Sequence, residues 1–148
     1  MRMRYSWIPL FVREERLLLR IDPTWGDVWY WPSVTDDGGF RTAPAFFDAL
    51  CAELEVDRAI FFSGRSPLRI REFYEEILHV PSAEPAAYHF RVVDLSFASG
   101  SIRAGEFTAR SGRAHRWIDA RDVAGGRTEQ QSVQPEVSAL WNQLRNSP

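Results

Sequence analysis

The residues best suited to chemistry lie in the stretch from Trp29 to Val56. An aromatic strand ends at Pro32, the loop 36–39 reads DDGG, and an apolar helix is predicted over about 43–55. A glycine loop that leads into a helix presents free backbone N–H groups, which can bind an anion. The pattern therefore predicts an anion site between the end of the strand and the start of the helix.

The same stretch resembles the box of the Nudix hydrolase family. That box reads Gly, five residues, Glu, seven residues, and then Arg-Glu-aliphatic-x-Glu-Glu-x-Gly-aliphatic. When it is laid on this chain from position 34 without a gap, Glu53 falls on the last glutamate, and Leu50 and Val56 fall on aliphatic positions. Gly39 matches the glycine that usually precedes the first glutamate of the box.

Most of the chemical groups of that box are replaced in this chain. The replaced positions are Val34 for the opening glycine, Phe40 for the first glutamate, Asp48 for the arginine, Ala49 and Ala52 for two metal-binding glutamates, and Glu55 for the final glycine. Positions 49, 52 and 53 share one helix face because they lie three and four residues apart. Only Glu53 keeps a carboxylate on the face that would hold divalent cations in the family.

The loss of carboxylates changes the chemistry that the resemblance implies. Magnesium needs near-octahedral oxygen ligands, and proteins usually hold it with one or two carboxylates and substrate phosphates. Enzymes lower their barriers by about 8 kcal/mol or more, and metal ions bound to a diphosphate supply much of that. We therefore predict a degenerate box that is inactive in ordinary diphosphate hydrolysis. No cofactor is expected, or Mg²⁺ bound through Glu53 if the protein is active, in which case Glu53 is also the catalytic candidate.

The resemblance spans nearly the whole chain in the order of its elements. It implies an α+β fold, a Nudix-like α/β/α sandwich with a mixed, curved β-sheet flanked by helices at about 43–55 and 135–145. With 45% hydrophobic residues, the chain suits a single domain over residues 1–148. Strands are predicted over 5–12, 16–21, 28–31, 59–63, 68–80, 88–97 and 115–119.

Four further residues are candidates for contacts with a ligand. In the family an arginine at the end of the strand before the box often faces the ligand; Arg20 takes that place by resemblance, or is a solvated strand end. Alternation puts Trp29 and Trp31 on one strand face, either in the core or as a stacking wall for a planar ligand. His89 either lines a pocket or satisfies a local hydrogen bond within its strand.

Two patterns predict how particular elements are buried. Thr42 is a suitable N-cap for the helix over about 43–55, which is apolar nearly all round and is therefore expected to be buried nearly all round. The strand over 68–80 carries carboxylates on both faces, which indicates a twisted or bulged strand.

Composition narrows the class of protein and partner. The formal net charge of -2 argues against nucleic-acid binding driven by bulk electrostatics. No window approaches about 18 uninterrupted apolar residues, so no membrane span is expected. The single cysteine, Cys51, is read as a small core residue. We expect a cytoplasmic protein that binds a small molecule, with a homodimer or a protein partner as a possibility.

Three functions remain open from the sequence. The first is a ligand-binding or sensing module that uses Arg20, Trp29, Trp31, Gly39 and His89 and does not hydrolyse its ligand. The second is an enzyme, hydrolytic or biosynthetic, in which Glu53 is joined by a rearranged acidic set drawn from Glu72, Glu75, Glu76 or Glu106. The third is a subunit or scaffold that buries the alanine face of the helix against a partner.

Overall fold

A computed structural model describes residues 2–21, 26–62, 68–77 and 86–146 of the protein. The strands are β1 (Arg2–Leu10), β2 (Val12–Arg13), β3 (Arg16–Ile21), β4 (Trp29–Tyr30), β5 (Val34–Asp36), β6 (Ile70–Ile77), β7 (Ala86–Asp94), β8 (Phe107–Thr108) and β9 (Ala114–Asp119). The α-helices are α1 (Ala43–Leu54), α2 (Ala120–Gly125) and α3 (Pro135–Asn146). Two 3-10 helices cover Arg58–Phe61 and Ser96–Ser101.

The strands are divided between two sheets, where a single curved sheet was predicted. The first sheet has the order β5-β1-β7-β6 and is mixed, because β1 and β7 run parallel while the other pairs are antiparallel. The second has the order β2-β3-β9-β8, with β4 also paired to β3, and is antiparallel throughout. The predicted α+β class, with mixed strands and flanking helices, is confirmed.

Helices α1 and α3 cover opposite sides of the strands. Alternation along β1 sends Ile8 towards the core under α3 and Trp7 towards the core under α1. On the α1 side, the Trp7 and Phe46 rings stack with centroids 4.9 Å apart. On the α3 side, Val137 and Leu140 of the helix are buried. The layers thus follow the α/β/α order.

Helix α1 begins at the predicted cap but is buried on one face only. The Thr42 side chain accepts a hydrogen bond from the Ala45 N–H at 3.3 Å, so the predicted N-cap is confirmed. The buried residues of the helix are Phe46, Phe47, Leu50 and Leu54. Ala45 and Ala52 are exposed. The prediction of nearly complete burial is therefore wrong for a single chain, because the strands cover one side of the helix.

The structure corrects one local prediction and narrows a second. The stretch predicted as a strand over 59–63 is a 3-10 helix up to Phe61, because the Asp57 side chain accepts a hydrogen bond from the Ala59 N–H at 2.8 Å and caps a turn. Strand β6 pairs with β7 residue for residue from Ile70 to Ile77, so of the two predicted alternatives, a twisted or a bulged strand, the bulge is absent from this stretch. Ser63 and residues 78–80 lie outside the described residues.

No helix in the described part of the chain has the length and apolar character needed to cross a lipid bilayer.

Candidate functional site

A cleft of about 310 Å³ is lined by residues of α1, of both sheets and of the turn before β9. Its most distinctive feature is charge. Four arginines line it, namely Arg4, Arg20, Arg41 and Arg113. Among the described lining residues, Glu53 is the only carboxylate. The cleft therefore gathers several fixed cations that are far apart in sequence.

Arg20 lies at the end of β3 and is only 6% exposed. Its Nη2 donates a hydrogen bond to the Ser33 carbonyl oxygen at 2.7 Å. Its neighbour Leu19 points into the core under α3, so strand alternation turns Arg20 towards the cleft. Arginines are rarely buried and cannot be deprotonated in proteins, so Arg20 places a permanent positive charge in the cleft wall.

Arg4 and Arg41 are held by the two aspartates of the loop 36–39. The Arg4 Nε donates to Asp37 at 2.7 Å, and the Arg41 Nε donates to Asp36 at 2.6 Å. Arg4 also donates to the Tyr88 hydroxyl at 3.2 Å. Desolvation lowers the pKa of Arg4, but its bonds to Tyr88 and Asp37 outweigh burial and hold that pKa above its usual value. The loop in which the sequence predicted an anion site thus supplies carboxylates that orient arginines.

Glu53 projects from α1 one turn beyond Ala49, and both residues line the cleft. The carboxylate accepts a hydrogen bond from the Ser111 hydroxyl at 2.5 Å. Ala52 is exposed and does not line the cleft. Among the described residues, no group of three or more His, Cys, Asp or Glu side chains is arranged to hold a metal ion. In the described part of the chain, the cleft-facing side of α1 therefore supplies one carboxylate as a metal ligand, and several arginines lie in the same cleft.

The two tryptophans predicted as ligand contacts lie outside this cleft. Trp29 is 4% exposed and Trp31 is 1% exposed, and both belong to the core under α3. Trp29 also contributes to the wall of a separate cavity of about 710 Å³. Of the two predicted alternatives, a core position or a stacking wall for a ligand, both indoles therefore occupy the core position.

Gly39 and His89 also lie away from the cleft wall. Gly39 has a φ of +131°, a conformation that favours glycine, in the loop that carries Asp36 and Asp37. His89 follows Tyr88 on β7 and so points to the other face, where its ring packs 5.0 Å from the Phe40 ring. Its Nε2 is 3.6 Å from a carboxylate oxygen of Glu72. The sequence identified the strand but not which of its faces meets the cleft.

Several residues of the site were missed by sequence reasoning, chiefly Arg4, Arg41, Tyr88 and Arg113. The box pattern gave no signal for them, because Arg4, Tyr88 and Arg113 lie outside the stretch 34–56 and Arg41 falls on an unspecified position within it. The one local clue is that Arg41 directly precedes the N-cap Thr42. An arginine before a helix N-terminus is well placed to share an anion with the helix.

His115 was also missed; it lies opposite Arg20 in the ladder between β3 and β9, and it lines the separate cavity of about 710 Å³. It is 1% exposed, its ring stacks on Phe107 at 5.0 Å, and its Nδ1 is 3.0 Å from the Arg113 carbonyl oxygen. Burial lowers the pKa of His115 from 6.5 to about 4; Arg20 also lowers this pKa, while Glu53 raises it. The imidazole is therefore neutral at physiological pH.

The fold as a whole is similar to that of other proteins of known structure. The chain is similar to the dihydroneopterin triphosphate pyrophosphohydrolase of Escherichia coli, with a TM-score of 0.54 and 14% identity, over 95% of this chain and 92% of that one. It is equally similar to a candidate Nudix hydrolase from Listeria monocytogenes, with a TM-score of 0.54 and 11% identity, over 97% and 92% of the two chains. No protein-family model and no curated protein matches the sequence. At such low identities the similarity concerns the fold alone, and it shows that the protein has the Nudix fold.

Proposed function

We propose that the protein binds a small phosphate-bearing ligand, such as a nucleotide-like molecule, in the arginine-lined cleft without cleaving it by metal-assisted hydrolysis. The observation that carries this proposal is the charge of the cleft, which has four arginines and, among its described lining residues, one glutamate. The Escherichia coli protein of similar fold is named for a triphosphate substrate, which supports the same class of ligand.

Arginine is suited to take the place that cations hold in a phosphate site. A guanidinium group presents several N–H donors in a fixed plane, and it binds phosphate oxygens through paired, charge-assisted hydrogen bonds. Among the described residues, Glu53, Asp36 and Asp37 count against the four arginines, which leaves one positive charge in excess. A phosphate group entering the cleft would therefore meet a favourable potential without any metal ion.

The proposal is tested by calorimetry with pyrophosphate and with ADP in the presence of EDTA. Wild-type protein should bind both, and Arg113→Gln should weaken binding about tenfold, which corresponds to one charge-assisted hydrogen bond of about 1.4 kcal/mol. Arg121→Gln is the matched control, because Arg121 is an exposed arginine whose described ion pair is with Asp119, outside the cleft. Absence of binding to either anion, with the fold intact by circular dichroism, would refute the proposal.

Catalysis is tested separately with Mg²⁺ or Mn²⁺ and a panel of nucleoside diphosphate compounds. We expect no turnover above that of the Glu53→Gln variant. Turnover at an ordinary enzyme rate that disappears in Glu53→Gln would contradict the non-hydrolytic part of the proposal and favour an enzyme.

The positions of the other glutamates limit which of them could join Glu53 in an active enzyme. Glu75 lies opposite Tyr88 in the ladder between β6 and β7, on the same face as the Tyr88 side chain that lines the cleft. Glu72 and Glu106 pair instead with Arg91 and Arg116, outside the cleft. The side chain of Glu76 lies outside the described part of the structure. Among the carboxylates that the structure describes, a rearranged acidic set would rest on Glu53 and Glu75, and it requires metal-dependent activity that is lost in both Glu53→Gln and Glu75→Gln.

A further inference from the structure

Strand β6 forms one border of the first sheet. Among the described residues it pairs only with β7, so its other edge carries backbone N–H and C=O groups that no described strand uses. Such an edge can accept a further strand. Two side chains on the strand are unusually exposed for large apolar residues, with Ile70 at 47% and Tyr74 at 58% of their surface accessible.

The direction of the backbone groups of β6 follows from the existing ladder. The Arg69 carbonyl oxygen accepts a hydrogen bond from the Asp94 N–H at 3.1 Å, so position 69 points its backbone groups towards β7. In an antiparallel ladder this direction alternates along the strand. The N–H and C=O groups of the even-numbered positions from Ile70 to position 76 therefore point to the open edge.

Symmetry restricts how two copies of this edge can pair. In an antiparallel strand pair, directly opposite residues point to the same side of the sheet. When the two strands are related by a two-fold axis, one residue must therefore lie directly opposite its own copy, with the axis midway between them. The axis therefore lies at one position of β6, and each choice fixes every cross-strand pair. This leaves a small set of registers to compare by charge.

Only one of the central registers of β6 avoids opposing like charges. When the axis lies at Glu72 or Glu75, that glutamate lies opposite its own copy, and the same holds for Arg71 when the axis lies there. When the axis lies at Tyr74, the glutamates at positions 72 and 76 lie opposite each other. With the axis at Phe73, Arg71 of one copy lies opposite Glu75 of the other, twice. Opposite charges at facing positions stabilise a strand pair and like charges destabilise it.

The register centred on Phe73 also suits the backbone and the side chains. Even-numbered positions then pair through their outward N–H and C=O groups, with Glu72 opposite Tyr74. The odd-numbered positions form the pairs without hydrogen bonds, in which side chains approach more closely, so Arg71 and Glu75 meet at short range. Arg71 is already oriented, because its Nη1 donates to the Leu144 carbonyl oxygen of α3 at 3.1 Å.

We propose that the protein forms a two-fold symmetric homodimer through β6, with Phe73 on the axis and Arg71 of each copy paired with Glu75 of the other. The first sheets of the two copies then join into one continuous eight-stranded sheet. The proposed interface is the open edge of β6, and no residue of β6 is among the described residues that line the cleft. The proposal is therefore independent of whether the cleft binds an anion.

The oligomeric state is measured by light scattering after size exclusion over a range of concentrations. Wild-type protein should approach twice the 17.1 kDa mass of one chain. Glu75→Arg should shift the equilibrium to monomer by placing arginines opposite each other, and the charge swap Arg71→Glu with Glu75→Arg should restore the dimer. Glu129→Arg, an exposed acidic position outside β6, should have no effect.

Two further variants test the register and guard against loss of the fold. Tyr74→Pro removes an N–H that points to the open edge and should yield a folded monomer, as checked by circular dichroism. In a Cys51→Ala background, Glu72→Cys and Tyr74→Cys chains should form a disulfide when mixed, and neither should do so alone. A wild-type monomer at every concentration, or a dimer that survives both Tyr74→Pro and Glu75→Arg, would overturn the proposal.

Discussion

Arg20 and His115 show how a single side chain acquires its properties from the neighbours that folding gives it. They lie directly opposite each other on β3 and β9. Arg20 keeps its charge when buried because a guanidinium group cannot be deprotonated in proteins. His115 gives up its proton instead, because burial and two nearby arginines favour the neutral ring. The pair therefore carries one positive charge at neutral pH, which suits a site for an anion.

The lowered pKa of His115 predicts how stability depends on pH. The unfolded chain takes up a proton near the ordinary pKa of 6.5, whereas the folded chain does so only near about 4. Stability that is fully present above pH 6.5 is therefore lost as the pH falls towards 4, by about 3 kcal/mol in total. His115→Gln should reduce the loss of unfolding free energy between about pH 7 and about pH 4 by this amount.

Urea denaturation at several pH values provides the measurement. The charged groups that face His115 are Arg20 of β3, Glu53 of α1 and Arg113 of the turn before β9, and all three remain in the variant. His89→Gln serves as the control for removing a histidine. An unchanged pH dependence in His115→Gln would mean that the buried ring is not the group responsible.

Among the elements, those predicted from local signals are the ones that the structure confirms most closely. Strand β3 has the predicted bounds, and α1 begins directly after the predicted cap Thr42. The 3-10 helix Arg58–Phe61 was missed because an apolar stretch of that length fits a strand or a turn equally well. The side chain of Asp57 decided between them, by capping the turn.

The hairpin between β2 and β3 offers a test of local strain. Its turn residues Glu14 and Glu15 have φ values of 50° and 61°, which are unfavourable for residues other than glycine, asparagine and aspartate. The favoured pair for such a turn is Asn-Gly. The double change Glu14→Asn with Glu15→Gly should therefore raise the free energy of unfolding by about 1 kcal/mol.

Thermal and chemical denaturation will show whether the turn is strained. Both glutamates are exposed, so the change removes no core contact. Glu106→Gly replaces another exposed glutamate by glycine and should give no gain. A decrease in stability of the double variant would show that the glutamate side chains contribute more than the relief of strain.

The molecule as a whole combines a Nudix fold with a cleft whose described lining residues carry a net positive charge. The fold brings residues from β1, β3, β5, α1, β7 and the turn before β9 to one place. The burial of Arg20 and the anchoring of Arg4 and Arg41 leave these cations ordered before any ligand arrives. Because preorganised groups lose little freedom on binding, this arrangement favours affinity for an anion.

The electrostatic origin of binding predicts a dependence on salt. The affinity for pyrophosphate should fall as sodium chloride is raised from low to physiological concentration, because exposed charges such as Arg41 are screened at a distance of about 8 Å. Titration calorimetry at several chloride concentrations measures this. An affinity that does not change with salt would point to recognition by the uncharged walls of the cleft.

The sequence by itself determined the order and type of most elements and the scarcity of acidic groups on one face of α1. Both depend on short-range patterns, since a helix repeats every 3.6 residues and a cap acts on the next turn. Tertiary structure alone decided which residues meet. Tyr88 lines the cleft and His89 does not, although they are adjacent, because the face of a strand that reaches the site is fixed by packing against distant elements. The same packing placed Trp29 and Trp31 in the core and gathered Arg4, Arg20, Arg41 and Arg113 around Glu53.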